Sequence, residues 1–307
     1  MKKRLIVILA LCLSLLFAGC TPKGASSVSQ SVPAIPSPAP VPAVPEAPPP
    51  SETEAPLFTE ADVSALLVTL VDSQYVYWAI DPLPADEALR TTVVNHSGYG
   101  VPLTLISVAL WHNNGAHGEG LVSTEELRQA ALDLYGVDYS LQNAPEDTAT
   151  PGYYAIPAHG PTHSAELLPE TAYTGGNAMH VDTLVSYWYY EEGVYRTITL
   201  RHTFTKNGED ASFPYRLVSL REVASTGQDV GDGVTQPVNL YPDTRYGLVT
   251  VEELNVRKGP GTEYEKSHSV YQDNLLFLVG DDGGEWLCTF NGWVSAEYVT
   301  VLGSASD

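Results

Sequence analysis

The apolar and polar positions of this 307-residue chain change rhythm four times. Leu5 to Ala18 form one continuous apolar run behind Lys2, Lys3 and Arg4. Residues 21–56 carry eleven prolines and no period at all. From Leu57 the spacing is helical. Val63, Leu66, Leu67, Leu70 and Val71 recur on one face behind Thr59 and Asp62, a short form of the capping box, and Asp81-Pro82-Leu83-Pro84 marks the stop. Leu103, Ile106 and Leu110 predict a second helix after Pro102. Ser123 and Glu126 make a full capping box ahead of Leu127, Ala130, Ala131 and Leu134, which predicts a third.

Beyond Tyr153 the period shortens to two. Runs rich in Tyr, Val, Ile and Thr are punctuated by Gly175-Gly176, Glu192-Gly193 and Asn207-Gly208, and Asn-Gly is the strongest short hairpin signal. The reading is an antiparallel meander with strands near 165–173, 179–190, 194–205 and 212–223. Helices followed by a sheet predict an α+β domain over 57–225, with the helices on one sheet face. That order of elements looks like the cone-shaped folds of the nuclear-transport-factor-2 type. A linker over 226–246, rich in Gly and Asp at its start, separates this domain from the last one.

The segment 247–302 reads as a compact all-β unit. Val249, Val251, Leu254 and Val256 alternate with one residue too many, which predicts a bulge. Leu275 to Val279 is a continuous apolar run, as in a strand covered on both faces. Asp281-Asp282-Gly283-Gly284 and Asn291-Gly292 supply the turns. Leu254-Asn255-Val256-Arg257 with Gly259-Pro260, Trp286, Gly292-Trp293-Val294 and Tyr298-Val299 together resemble a bacterial SH3 domain, with Lys258 and Gly261 where that family commonly shows Ser. The resemblance implies an SH3-like small barrel that binds cell-wall peptide or a surface protein. It also implies a groove lined by aromatics, for which Tyr264, Trp293 and Tyr298 are the candidates; Asn255 and Arg257 are expected to brace the loop.

A basic tip, a short apolar run and small residues before a cysteine are the parts of an export signal. At Leu16-Phe17-Ala18-Gly19-Cys20 the ending resembles a bacterial lipobox, with Phe17 where that motif usually has Leu. The implied division is a signal peptide over 1–19, acylation of Cys20, and a proline-rich stalk over 20–56. Extended polyproline at roughly 3.1 Å per residue would reach on the order of 100 Å. The expected location is the cell membrane, lipid-anchored, exposed to the extracellular or cell-wall side. Cys12 would leave with the signal and Cys20 would carry lipid, so Cys288 is left as a lone thiol and no internal disulfide can form. Its place between Leu287 and Thr289 reads as a small buried hydrophobe.

Lys and Arg number 15 against 37 Asp and Glu, a net charge of −22. A field of that sign repels phosphate backbones, so no nucleic-acid partner is expected. No Gly-x-Ser-x-Gly elbow and no phosphate loop appears, and no cofactor is implied. The one local cluster with chemistry lies between Trp111 and Gly120. His112, His117 and Glu119 are of the types that hold catalytic zinc, but their spacing matches no ligand motif. The loop reads as a turn with solvated histidines, and a metal site is its alternative. His159 and His163 cannot share a helix across Gly160 and Pro161. Three functions stay open: a non-catalytic envelope lipoprotein whose SH3 module binds wall peptide or a surface protein, an envelope enzyme with 57–225 as its catalytic unit, and a small-molecule-binding lipoprotein.

Overall fold

Thr59 opens the first helix as the sequence predicts. Its backbone N–H donates to Asp62 Oδ2 at 2.7 Å, and the Asp62 N–H returns to its hydroxyl. The computed structural model describes residues 58–118, 120–157, 163–189 and 193–306; Cys20, the signal segment, the proline-rich stretch, Glu119 and His159 lie outside them. Helix α1 (Glu60–Asp72) ends well before Asp81, because Gln74 turns left-handed at φ 55° and a separate turn, α2 (Tyr75–Trp78), follows. α3 (Glu87–His96) was not expected; Asp86 caps it by accepting from the Leu89 N–H at 2.7 Å.

α4 (Gly100–Asn113) is buried from Gly100 through Ala109, which accounts for its apolar residues on every face. Its first turn is held from a distance. Asp81 Oδ2 accepts from the Gly100 N–H at 3.1 Å and from Ser97 Oγ at 2.8 Å. A Cβ at Gly100 would stand 2.7 Å from that oxygen, so any larger residue there would have to displace the Asp81 carboxylate. Burial raises the pKa of the Asp81 carboxyl, against these hydrogen bonds. After β1 (Val122–Ser123), the predicted capping box of Ser123 and Glu126 opens α5 (Thr124–Tyr135), and left-handed Gly136 closes it. β2 (Tyr153–Tyr154) pairs with β1.

The meander follows. β3 (His163–Gly175), β4 (Ala178–Tyr189), β5 (Gly193–Lys206) and β6 (Tyr215–Gly227) form a four-stranded antiparallel sheet in chain order, so this part of the chain is α+β as expected. One face, with Met179, Val181 and Val185 of β4 and Ile198, Leu200 and Phe204 of β5, shares a core with the helices. Aromatic rings fill the space between. Tyr75 lies edge-on to Phe204 at 5.6 Å, and Trp111 edge-on to Phe213 at 5.6 Å. In the same core His202 Nδ1 lies 3.1 Å from Tyr75 Oη and Nε2 lies 2.8 Å from Thr183 Oγ1. Burial presses its pKa down from 6.5 to about 3.

The C-terminal strands are β7 (Asn239–Val249), β8 (Glu253–Arg257), β9 (Lys266–Tyr271), β10 (Leu275–Asp281), β11 (Trp286–Thr289), β12 (Gly292–Ser295) and β13 (Val299–Ser304). They form one antiparallel sheet in the order β13-β7-β10-β11-β12-β8-β9. Its two end strands do not pair, so among the described residues no closed barrel is formed. Two expectations are corrected. The linker over 226–246 gives way at Asn239 to β7, which pairs with both β10 and β13. The predicted bulge is a corner: β7 stops at Val249, Thr250 N–H donates to Tyr298 O at 3.0 Å, and β8 starts afresh at Glu253.

β10 is covered on both faces, as its apolar run predicts. Leu276 and Leu278 enter a core with Val249, Leu254, Val256, Leu287, Val294 and Val299. Leu275 and Phe277 point the other way, onto the core of the helices and the four-stranded sheet, where Tyr246 and Ala305 are fully buried. Residues 54–307 are therefore one compact unit.

The buried imidazole makes a pH prediction. An unfolded His202 takes up a proton near pH 6.5, whereas the folded one stays neutral down to about pH 3. The stability it contributes is present above 6.5 and is lost as pH falls, by up to about 1.4 kcal/mol per pH unit. Denaturant unfolding of the wild type and of His202→Gln between pH 7 and pH 4 checks this. The variant should be less stable at pH 7 and should lack that part of the slope.

Candidate functional site

The three aromatics named for an SH3 groove do not come together. Trp293 is fully enclosed, in a small core with Val230 and Cys288, and its Nε1–H donates to Thr235 O at 2.8 Å. The segment expected to be a linker supplies that cover. Gly231 N–H donates to Phe290 O at 2.7 Å, Thr235 N–H to Lys258 O at 2.7 Å, and Val238 N–H to Asp281 O at 3.0 Å. A buried indole needs an acceptor for its N–H, and a strap of backbone provides one. Trp293 is thus a core residue, and its proposed ligand role is corrected.

Tyr264 and Tyr298 are each 37% exposed. Tyr264 rests against Gly259, and its carbonyl accepts from Arg257 Nη1 at 2.8 Å, so Arg257 braces the loop as expected. Tyr298 adjoins Thr250 at the far end of β8. Tyr271, which the sequence did not single out, is more exposed than either at 56% and stands opposite Glu253.

The histidine loop is likewise resolved by a residue outside it. His112 sits in the last turn of α4, and His117 Nε2 lies 2.9 Å from Glu126 Oε2. Glu126 also accepts from Ser123 N–H at 2.8 Å and Asn113 Nδ2 at 3.2 Å, so the capping carboxylate ties the loop to α5. Among the described residues no three His, Cys, Asp or Glu are placed to hold a metal ion. Of the His112, His117 and Glu119 set, His117 pairs with Glu126, and Glu119 lies outside the described residues. Cys288 is buried and its thiol is pushed up to about 12 by that burial, in keeping with a core residue.

What the fold does assemble is a cleft of about 360 Å³ where β6 meets β7. Val223, Leu240, Pro242 and Val279 give it apolar walls, and Arg196, Glu222, Asp229 and Asp243 give it charge. Arg196 and Glu222 pair at 3.1 Å, which leaves Asp229 and Asp243 as the excess. Tyr241 is held by both ends. Its hydroxyl donates to Asp281 Oδ2 at 2.9 Å, and the Arg245 guanidinium lies 4.0 Å from its ring centroid. Burial, reinforced by Asp281, pushes the Tyr241 phenol up to about 12. The chemistry on offer is recognition of an amine-bearing ligand with an apolar body. No local motif announces this cleft, because its walls come from strands that meet only in the folded chain.

The enclosed indole sets a graded expectation. Trp293→Phe keeps the ring volume approximately but loses the bond to Thr235, and should cost about 1 kcal/mol. Trp293→Ala should cost about 3–5 kcal/mol. Denaturant unfolding of both variants measures the two steps. Comparison with protein families, with curated proteins and with solved structures finds no match to this chain.

Proposed function

We propose that the chain is a cell-envelope lipoprotein, anchored through acylated Cys20 and exposed to the extracellular or cell-wall side. Its folded part is a binding module for peptidoglycan peptide or another surface partner. The cleft between β6 and β7 carries this reading: it is concave, partly apolar and acidic, features that suit peptides with free amino groups. An SH3-like character for the C-terminal unit is part of the same proposal. Support comes from its all-β make-up and from the motif residues Leu254, Val256, Val294 and Val299, which share one core. Polyanionic wall polymers fit poorly, since a net charge of −22 repels them.

Two experiments test this. The unit spanning residues 54–307 should sediment with purified peptidoglycan, and Asp229→Asn with Asp243→Asn should reduce retention about tenfold, the loss of about 1.4 kcal/mol. A protein that stays in the supernatant at both low and high salt removes the wall from consideration. Retention accompanied by release of wall fragments would favour the enzyme reading instead. In cells, Cys20→Ala should abolish fatty-acid labelling and release the protein from the membrane fraction. A cytosolic product with its first twenty residues intact would overturn the anchor.

A further inference from the structure

β6 is an edge strand: in the four-stranded sheet it pairs with β5 alone. Its outer edge is nonetheless covered for part of its length. Leu83 N–H donates to Leu220 O at 2.6 Å, and Leu220 N–H donates back to Leu83 O at 2.9 Å. One position earlier along the edge, Arg90 Nη1 donates to Val218 O at 2.8 Å. The N–H and C=O of Leu220 therefore point away from β5. In an antiparallel ladder alternate residues turn these groups to the same side. The pairing with β5 is regular from Leu220 to Glu222, so Glu222 is the next residue to turn them outward. Among the described residues no backbone partner meets it there.

Glu222 is also where the cleft between β6 and β7 begins, and the lining takes in Glu222, Val223, Ala224 and Ser225 in succession. Past Glu222 the strand is exposed, and Val223 is an extra residue between the Leu200–Glu222 and Thr199–Ala224 pairs. β7 contributes Pro242 to the lining, which has no N–H to give to a ladder, and the two strands belong to separate sheets. An exposed strand edge is normally paired, covered or blunted, because its open N–H and C=O groups invite another strand. Here the cover given by Leu83 and Arg90 stops where an acidic cleft of about 360 Å³ starts.

We infer that the cleft takes its peptide as an added strand: an extended chain pairs its backbone with the edge of β6 from Glu222 to Ser225, and its free amino group meets Asp229 and Asp243. The inference rests on the reading of this cleft as a peptide site, and it names what is recognised there, an extended main chain together with an amine. Four residues at about 3.3 Å each give roughly 13 Å of edge. Main-chain pairing supplies affinity whatever the side chains, and the two acids select among peptides by charge. A bare polyamine or a sugar lacks the alternating amides that such an edge requires.

Calorimetric titration of the full chain in detergent tests this with N-acetyl-alanyl-lysyl-alanyl-alanine amide, two N-methylated forms of it, and cadaverine. The methyl groups sit on alternate backbone nitrogens, the odd ones in one form and the even ones in the other. The parent peptide should bind. Only one side of a strand faces its neighbour, so one methylated form should bind at least about tenfold more weakly and the other within about twofold of the parent. Cadaverine, an amine with no main chain, should also lose at least about tenfold. Glu222→Pro removes the outward N–H at a strand edge, where proline is tolerated, and should weaken the parent peptide about tenfold while its melting curve stays cooperative. If that variant does not fold, the two methylated peptides decide the matter alone. Methylated forms that bind equally well or equally poorly, or cadaverine that binds as tightly as the peptide, would overturn the added strand and leave an amine-binding cleft standing. No binding of either peptide or cadaverine would overturn the inference and the cleft's part in wall binding together.

Discussion

A strand with apolar side chains on both faces has to be covered twice, and β10 is that strand. Leu276 and Leu278 enter one core, and Leu275 and Phe277 press on another. Fully burying a Leu or Phe side chain is worth about 1.5–3 kcal/mol. Tyr246 and the partly buried Leu275, Phe277 and Leu302 add to a joint of several kcal/mol, comparable with the roughly 5–15 kcal/mol that holds a typical domain. The all-β unit is therefore not a bead on a tether. Separation would bare the floor of both parts, so the cleft between β6 and β7 has walls as fixed as the core beneath them.

The same economy governs three buried polar groups, Arg90, Asp81 and His202, each of which has a partner well removed along the chain. Arg90 is 6% exposed and has no carboxylate partner; its guanidinium donates to the carbonyls of Ala85 at 2.7 Å, Val218 at 2.8 Å and Pro84 at 3.2 Å. Burial lowers its pKa from the ordinary value, yet the bonds tie α3 to β6. Asp81 holds the start of α4 in a comparable way, and His202 joins α2 to β4 and β5. A buried donor or acceptor left without a partner costs about 1–3 kcal/mol, so these contacts select one arrangement of elements over its neighbours.

The elements that were legible are those with local causes. The two capping boxes need only residues three apart, and both are present. All four meander strands appear within a few residues of their predicted bounds, because alternation is a property of the strand itself. A tight hairpin forms beside Asn291-Gly292 but one residue earlier than the motif implies: Thr289 pairs with Gly292, so Phe290 and Asn291 make the turn. Asn207-Gly208 makes no tight turn: β5 ends at Lys206 and β6 starts at Tyr215, and the Asn207 side chain donates to Asp133 O and Phe213 O instead. α3 escaped notice because its buried face mixes Val93 and Val94 with Arg90, which blunts the apolar stripe.

From the sequence alone came the α+β order, the hairpins, the two-sided character of β10, the core place of Cys288 and the acid excess. Each rests on neighbours within a few residues or on composition. The tertiary structure decided that a supposed linker would cover Trp293, that Glu126 would claim His117, and that Leu83 would close the edge of β6 at Leu220. Those outcomes depend on strand register and on contacts between residues far apart in the chain. No short-range pattern encodes them, because the free energy that selects them is gained only when distant segments bury surface together.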